Sequence, residues 1–131
     1  LNGECIQQIS FPECVGCSVA NLLPKSYSEA VHVTNLKPDR DTYFLNENGT
    51  VRFSVDNPLN LSYSLESKWL QNGSVYDSHQ FTGEYTGRDN NWFVFNNLTK
   101  TGDWSVYIIV SWKHEGSPYS SGNMTSLKVL S

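Results

Sequence analysis

The chain has 131 residues, a net charge of −4 and many aromatic residues: four Trp, seven Tyr and six Phe. This length is enough for one domain with a self-supporting core, and a single Met with few Ala residues disfavours a helical protein. Lys and Arg are scattered without a basic cluster, so we expect no nucleic-acid binding. The longest apolar run, residues 106–110, is far shorter than a membrane span. No signal peptide is visible at Leu1, so we expect a mature or excised ectodomain.

Residues 1–28 differ from the rest of the chain because they hold all three cysteines and alternate poorly. We predict an irregular segment that packs on a domain formed by residues 29–131. One bridge within Cys5, Cys14 and Cys17 would leave one sulfur over, free or paired elsewhere. Cys5 is the favoured partner of either other cysteine, because a Cys14–Cys17 bond would close a very small loop. A redox or zinc role for Cys14-Val-Gly-Cys17 lacks the usual βαβ context or ligand spacing.

Short alternating segments follow. Residues 30–34 and 42–45 predict two strands joined by a turn at residues 37–40. Residues 50–55 alternate cleanly and predict a strand with one buried face. The inward positions of that strand are Val51, Phe53 and Val55.

A hairpin is predicted next. Residues 61–71 form a strand with Tyr63, Leu65 and Trp69 on one side, and residues 74–81 return beside it. Asn72-Gly73 between them is typical of a type I′ turn. We predict a polar loop at residues 82–91 and a strand at residues 92–95.

The clearest strand covers residues 102–112, and Gly102 allows a tight corner before it. Its buried face has a two-residue period: Trp104, Val106, Ile108, Val110 and Trp112. A long hairpin loop is predicted at residues 113–122. The closing strand at residues 121–130 then turns Leu127 and Val129 inward.

Leu98, Gly102, Trp104 and Val106 resemble the strand E to strand F corner of an immunoglobulin-like sandwich. The usual pattern there is Leu, then Asp-x-Gly-x-Tyr-x-Cys. Trp104 stands in place of the corner tyrosine and Val106 in place of the second cysteine, while Lys100 replaces the Asp.

The same stretch resembles the last segment of a polycystic-kidney-disease (PKD) sandwich, Gly-x-Tyr-x-Val-x-Leu-x-Val, a fold that needs no disulfide. Trp69, fourteen residues after Val55, resembles the core tryptophan of strand C. The resemblance implies an all-β, immunoglobulin-like or PKD-like antiparallel β-sandwich. Val55 or Phe53, Trp69 and Val106 would replace the missing disulfide with a hydrophobic core.

Five N-glycosylation sequons begin at Asn48, Asn60, Asn72, Asn97 and Asn123. With thirteen Asn in the chain, about two or three would be expected by chance. They also fall at predicted turns and strand ends, where a glycan fits. We therefore expect a glycoprotein with N-linked glycans, secreted or on the extracellular side of a membrane.

No motif for catalysis or cofactor binding is visible, so we predict no catalytic residue, no cofactor and no metal site. The three histidines are dispersed: His32, His79 and His114. Calcium binding in a loop would draw on Asp39, Asp41 or Asp89, but only Asp39-Arg-Asp41 has the clustered pattern.

Binding is the function class that remains. Tyr85, Arg88, Trp92 and Tyr119 are of the residue types that dominate interfaces, and we predict a recognition face there, with Tyr76 nearby. The alternative is that Trp92 and Tyr76 are sheet residues that cover the core.

Our hypothesis is a noncatalytic module for recognition or adhesion on a surface or secreted protein, with a protein receptor or ligand as partner. Viral glycoproteins that engage immune ligands form a subclass that the sequence does not separate. The alternatives are a carbohydrate-binding sandwich with exposed Trp or Tyr, and a structural spacer. The odd cysteine count is compatible with a disulfide-linked oligomer, and a non-covalent oligomer stays open as well.

Overall fold

A computed structural model describes residues 30–131, which form eight strands and no helix. The strands are β1 (His32–Pro38), β2 (Thr42–Phe44), β3 (Asn48–Asp56), β4 (Tyr63–Gln71), β5 (Ser74–Tyr85), β6 (Asp89–Asn97), β7 (Gly102–His114) and β8 (Ser117–Leu130). None of these residues lies in a helix long and apolar enough to cross a membrane. The predicted irregular segment and its three cysteines lie outside the described residues.

The strands form a three-stranded sheet in the order β1-β3-β6 and a five-stranded sheet in the order β2-β8-β7-β4-β5. Every neighbouring pair is antiparallel except β2 and β8, which are parallel. Buried side chains from both sheets form one hydrophobic cluster between them. The predicted all-β sandwich with an immunoglobulin-like fold is therefore confirmed.

β7 lies at the centre of the larger sheet, between β4 and β8. All five predicted inward side chains of β7 are buried: Trp104, Val106, Ile108, Val110 and Trp112. Val55 from β3 and Trp69 from β4 are also buried, so both sheets contribute to the core. Trp69 meets Trp104 edge-on, with ring centroids 6.5 Å apart. Apolar packing thus occupies the centre of the sandwich, as the resemblance implies for a domain without the disulfide.

Two hairpins close with two-residue turns. At Asn72 and Gly73 the φ angles are 48° and 85°, which confirms the predicted type I′ geometry. At Glu115 and Gly116 they are 51° and 82°. The predicted long loop at residues 113–122 is therefore wrong, because β7 and β8 continue to this tight turn. Glutamate seldom adopts positive φ, so the sequence carried only Gly116 as a turn signal.

The predicted polar loop at residues 82–91 is also mostly wrong. β5 continues to Tyr85 and β6 begins at Asp89, which leaves a loop of only residues 86–88. Both strands lie at sheet edges, where more of each strand is exposed to water and polar side chains are tolerated at more positions. The hydrophobic alternation that normally marks a strand is therefore absent.

Candidate functional site

A row of aromatic rings crosses one end of the five-stranded sheet on its inner side. Tyr85 of β5 is opposite Tyr63 of β4, Tyr63 is opposite Trp112 of β7, and Trp112 is opposite Tyr119 of β8. The ring centroids are 6.1 Å apart for Tyr63 and Tyr85, and 6.0 Å apart for Trp112 and Tyr119. The row therefore contains two predicted binding residues and two residues that were predicted only as inward-facing strand positions.

Trp92 of β6 joins this row from the other sheet. Its ring meets Tyr85 nearly edge-on, with centroids 4.7 Å apart. Its Nε1–H donates to the Tyr63 hydroxyl oxygen at 3.3 Å, and Asn90 Nδ2 donates to the same oxygen at 2.8 Å. Trp92 thus covers the core and links the sheets, which is the alternative considered for it from the sequence.

Tyr76 has a similar position at the opposite end of β5. Its ring lies 4.7 Å from that of Trp104, between centroids. Its hydroxyl is hydrogen-bonded to Thr99 Oγ1 at 2.5 Å. Tyr76 therefore also covers the core.

Arg88 lies in the short loop between β5 and β6, with an exposed side chain. The Arg88 carbonyl oxygen accepts a hydrogen bond from the backbone N–H of Asn57 at 2.8 Å. The buried Asn57 side chain donates to Leu61 O and Gly87 O, and its Oδ1 accepts from the Leu61 N–H. Asn57 therefore fixes this loop to the β3–β4 connection, a role that the sequence analysis missed.

The loop placement of Tyr85 and Tyr119 is a further correction. Both residues lie in strands and pack against the core, each half-buried. Of the four predicted binding residues, Arg88 alone is in a loop and exposed. The structure brings Tyr85 and Trp92 into contact and places Tyr119 at the other end of the same row.

A surface depression of about 750 Å³ opens along this row, with lining residues from β4, β5, β7 and β8. The described residues that line it include Tyr63, Trp112, Tyr119, Glu84 and Lys113, with several serines. They include no His, Cys or Asp that could pair with a serine as nucleophile and base. This lining holds aromatic and hydroxyl groups but no acyl-transfer arrangement.

The outer side of the five-stranded sheet presents a different surface, which we define by Lys68, Tyr107, Ile109 and Met124 and refer to as the Tyr107 face. Tyr107 lies between Lys68 of β4 and Met124 of β8 in the strand register. Tyr107 and Met124 are 39% and 45% exposed. Gly122 lies opposite Ile109, and a Cβ at this position would be 3.4 Å from Ile109 Cγ1. The sequence carried a signal for this face. The outward positions of β7 include Tyr107 and Ile109, where small polar residues are usual.

None of the five sequon asparagines lies on the Tyr107 face. Asn48 and Asn97 are opposite each other on β3 and β6 of the smaller sheet. Asn72 is in the β4–β5 turn, and Asn60 is in the β3–β4 connection. Asn123 is on β8, and its Nδ2 donates to Val33 O of β1, so its side chain is directed toward the neighbouring edge.

The amide nitrogen that would carry a glycan differs among these sites. Asn97 Nδ2 donates to Asn46 O at 3.2 Å and to Asn48 Oδ1 at 3.3 Å. Asn48, Asn60 and Asn72 each accept through Oδ1. Their Nδ2 atoms make no hydrogen bond to any other residue in 30–131. In three sequons, therefore, the nitrogen that would carry the glycan has no competing hydrogen bond in this part of the chain.

Of the acidic residues considered for calcium, Asp39 forms an ion pair with an arginine. Asp39 Oδ1 accepts from Arg52 Nε at 2.8 Å. The neighbouring Arg40 lies 3.1 Å from Glu47 Oε1, between nitrogen and oxygen. Within residues 30–131, no three His, Cys, Asp or Glu side chains gather as a metal site would require.

Glu47 holds the β2–β3 connection through its carboxylate. Oε1 accepts the backbone N–H of Phe44 at 2.7 Å as well as the Arg40 guanidinium. The Phe44 N–H and then Arg40 lower the pKa of Glu47 below its ordinary value. The charge thus serves a turn, and no catalytic partner lies next to it in the described structure.

Comparison with solved structures supports the fold. The PKD domain of an M14-like peptidase from a Thermoplasmatales archaeon has a TM-score of 0.59 at 11% identity, covering 77% of this chain and 96% of that domain. The Pseudomonas fluorescens alkylpurine DNA glycosylase AlkC, bound to DNA containing an abasic site analog, has a TM-score of 0.56 at 10% identity. This chain covers 31% of the glycosylase, and 78% of this chain is aligned. A CARDB domain from Pyrococcus furiosus has a TM-score of 0.49 at 14% identity, covering 77% of this chain and 94% of that domain.

No protein-family model and no curated protein sequence matches the chain. The PKD domain and the glycosylase have TM-scores above 0.5, but at 11% and 10% identity the similarity concerns the fold alone. The likeness to the PKD domain agrees with the β-sandwich implied by the pattern around Gly102 and Trp104.

Proposed function

We propose that this chain is a noncatalytic recognition module of a glycosylated protein, secreted or on the extracellular side of a membrane, and that a protein partner binds the Tyr107 face. The observation that carries the proposal is the separation of two surfaces. The five sequons lie at turns, strand ends and sheet edges, while the Tyr107 face bears none. Glycans are bulky and solubilising, so they would shield the surfaces that carry them and leave the Tyr107 face accessible to a partner.

The chemistry of the Tyr107 face fits a protein partner. Tyrosine and methionine are enriched in the centres of interfaces because they bury large apolar areas with few rotatable bonds or with adaptable shape. Lys68 adds one positive charge beside Tyr107. The face is a sheet surface with short side chains around it, such as Ser105 and Ser126, which leaves Tyr107 and Met124 accessible.

The aromatic row has a structural role in this proposal. Tyr85, Trp92 and Tyr119 join strands at the end of the sandwich and hold both sheets in place. Arg88 is retained as a separate contact residue because its side chain is exposed on an anchored loop. The carbohydrate-binding alternative calls for exposed Trp or Tyr rings; three of the four tryptophans are buried and Trp92 is half-buried, which leaves Tyr107 as the exposed ring of the Tyr107 face.

The binding experiment uses the glycosylated chain from a secretory host, screened against an array of extracellular protein domains. Tyr107→Ala and Met124→Ala should each weaken a detected interaction at least tenfold, with the melting temperature nearly unchanged. Glu66→Asn with Lys68→Thr introduces a sequon in the middle of the face, and its glycan should abolish binding. Asn60→Gln is the matched control, since it alters a glycan at another surface. Unchanged affinity in all three face variants would refute the site.

The glycoprotein part has its own measurement. Enzymatic removal of N-glycans from native material should lower the mass in several steps, one for each occupied sequon. A mass that does not change would contradict the extracellular location.

A further inference from the structure

Two exposed phenylalanines lie side by side on the outer face of the three-stranded sheet. Phe93 and Phe95 of β6 are 57% and 64% exposed, and their rings are stacked with centroids 6.4 Å apart. The Arg52 guanidinium carbon lies 5.6 Å from the centroid of Phe93. Phe95 is the more exposed of the two side chains. Paired aromatic rings left open to water on a sheet face point to a specific occupant.

The sequon pair of the same sheet adjoins these rings. Asn97 follows Phe95 by two residues, so the two side chains share a face about 7 Å apart. Asn48 is opposite Asn97 in the register, and Thr50 is opposite Phe95. Asn48 is therefore a diagonal neighbour of Phe95, at roughly 7–8 Å, a distance that long substituents bridge.

The hydrogen bonds favour Asn48 as the residue that carries a glycan here. Asn97 Nδ2 uses both of its hydrogens, one on Asn46 O and one on Asn48 Oδ1. A glycan on Asn97 would replace one of them. Asn48 accepts through Oδ1, which orients its amide and leaves Nδ2 without a hydrogen bond to residues 30–131.

We propose that an N-glycan on Asn48 lies over Phe95 and Phe93, with its first N-acetylglucosamine against the rings. The inference rests on the proposed glycoprotein nature of the chain. A pyranose ring has an apolar face of C–H groups, which an aromatic face attracts through its negative quadrupole while water is displaced. The glycan is thus part of the folded surface and covers the apolar pair.

A second copy of the chain is the rival occupant, and the surroundings disfavour it. Two side chains are far fewer than the 20–30 residues per side of a stable interface. The sequon pair also lies at the margin of the rings, so that a glycan there would obstruct a close approach.

The experiment measures melting temperatures of the glycosylated chain after two treatments. An endoglycosidase leaves the first N-acetylglucosamine on each asparagine, whereas an amidase removes the whole glycan and converts the asparagine to aspartate. The effect of that conversion is measured on the unglycosylated chain with the same aspartates and is subtracted. We expect the first treatment to leave the melting temperature unchanged and the second to lower it by about 3–5 °C. In Phe95→Ser the two treated forms should melt together, because the ring that holds the sugar is gone.

Two asparagine variants locate the effect. In Asn48→Gln the difference between the treated forms should vanish, while in Asn60→Gln, whose glycan is distant from both phenylalanines, it should persist. A difference that survives in Asn48→Gln but vanishes in Asn97→Gln would overturn the assignment to Asn48. So would a wild-type chain in which both treatments give the same melting temperature.

Site-resolved glycan analysis separates this inference from the function beneath it. An unoccupied Asn48 with other sequons occupied would overturn the inference and leave the glycoprotein proposal intact. No occupied sequon at all would overturn both. A dimer of the glycosylated chain in sedimentation, lost in Phe95→Ser, would show that a second copy covers the rings instead.

Discussion

The indole Nε1–H of Trp104 donates a hydrogen bond to the backbone carbonyl oxygen of Lys100 at 3.0 Å. In immunoglobulin-like domains a corner tyrosine makes the comparable bond to the chain a few residues upstream. Gly102 lies between the two residues with φ 122°, and a Cβ there would approach Asn72 Oδ1 to 2.5 Å. The tryptophan therefore takes over the corner role that its position implied, and a glycine is required beneath it.

Trp104→Phe should destabilise the domain more than Trp69→Phe does. Both side chains are buried, but within residues 30–131 only Trp104 has an indole hydrogen bond to a backbone oxygen. Its loss should add roughly 1 kcal/mol to the cost of the smaller ring. Urea denaturation of both variants measures the difference. Trp104→Tyr, which restores a donor, should recover part of it, and equal losses in all three would contradict the corner role.

The core was predictable because β3, β4 and β7 each have one mostly apolar face, in which the buried Ser67 of β4 is an exception. Burial alternates along all three strands, and the two-residue period of large apolar side chains predicts which positions face inward. β5 and β6 were predicted too short because edge strands lack that alternation. Asn57 was missed as an anchor because a single polar residue before a proline reads as a turn.

The placement of the candidate binding residues was harder to predict because it depends on register. Tyr85 lies on β5 and Trp92 on β6, which belong to different sheets, so their contact can be predicted only from the packing of the two sheets. Tyr119 seemed to be in a loop because the turn at Glu115 and Gly116 lacks the usual Asn-Gly pair. Residue type indicated a binding role, but the strand pairing shows that these rings pack against the core.

Tyr85→Ala should therefore lower stability by about 2–4 kcal/mol, because it removes a ring that contacts Tyr63 and Trp92. Thermal or urea unfolding measures this directly. Arg88→Ala is the control on the adjoining loop, where an exposed side chain should change stability by less than about 0.5 kcal/mol. A neutral Tyr85→Ala would instead restore Tyr85 as a surface residue with a binding role.

Glu47 gives the turn after β2 a dependence on pH. Its folded-state pKa is depressed by the Phe44 N–H and then by Arg40, so its charged form stabilises the native state. That contribution is fully present above the ordinary Glu pKa of about 4.3 and is lost as the pH falls through the lower folded value. Glu47→Gln should therefore reduce the melting temperature at pH 7, and the difference from wild type should shrink toward zero in strong acid. A difference that is the same at both pH values would contradict this role of the charge.

Asn72 combines a sequon with a structural contact, and the two can be separated. Its Oδ1 accepts the Asp103 N–H at 3.0 Å, and its φ of 48° is one that asparagine tolerates better than most residues. In the unglycosylated chain, Asn72→Gln should cost about 1–2 kcal/mol, because it loses both advantages. Ser74→Ala removes the same sequon without touching the contact and should be neutral within about 0.5 kcal/mol. Asn72→Asp, which retains an Oδ1 acceptor, should lie between them. Urea unfolding of chain made in a host without N-glycosylation provides the test. If Asn72→Gln and Ser74→Ala are equally stable there, Asn72 serves this turn only as a glycan carrier.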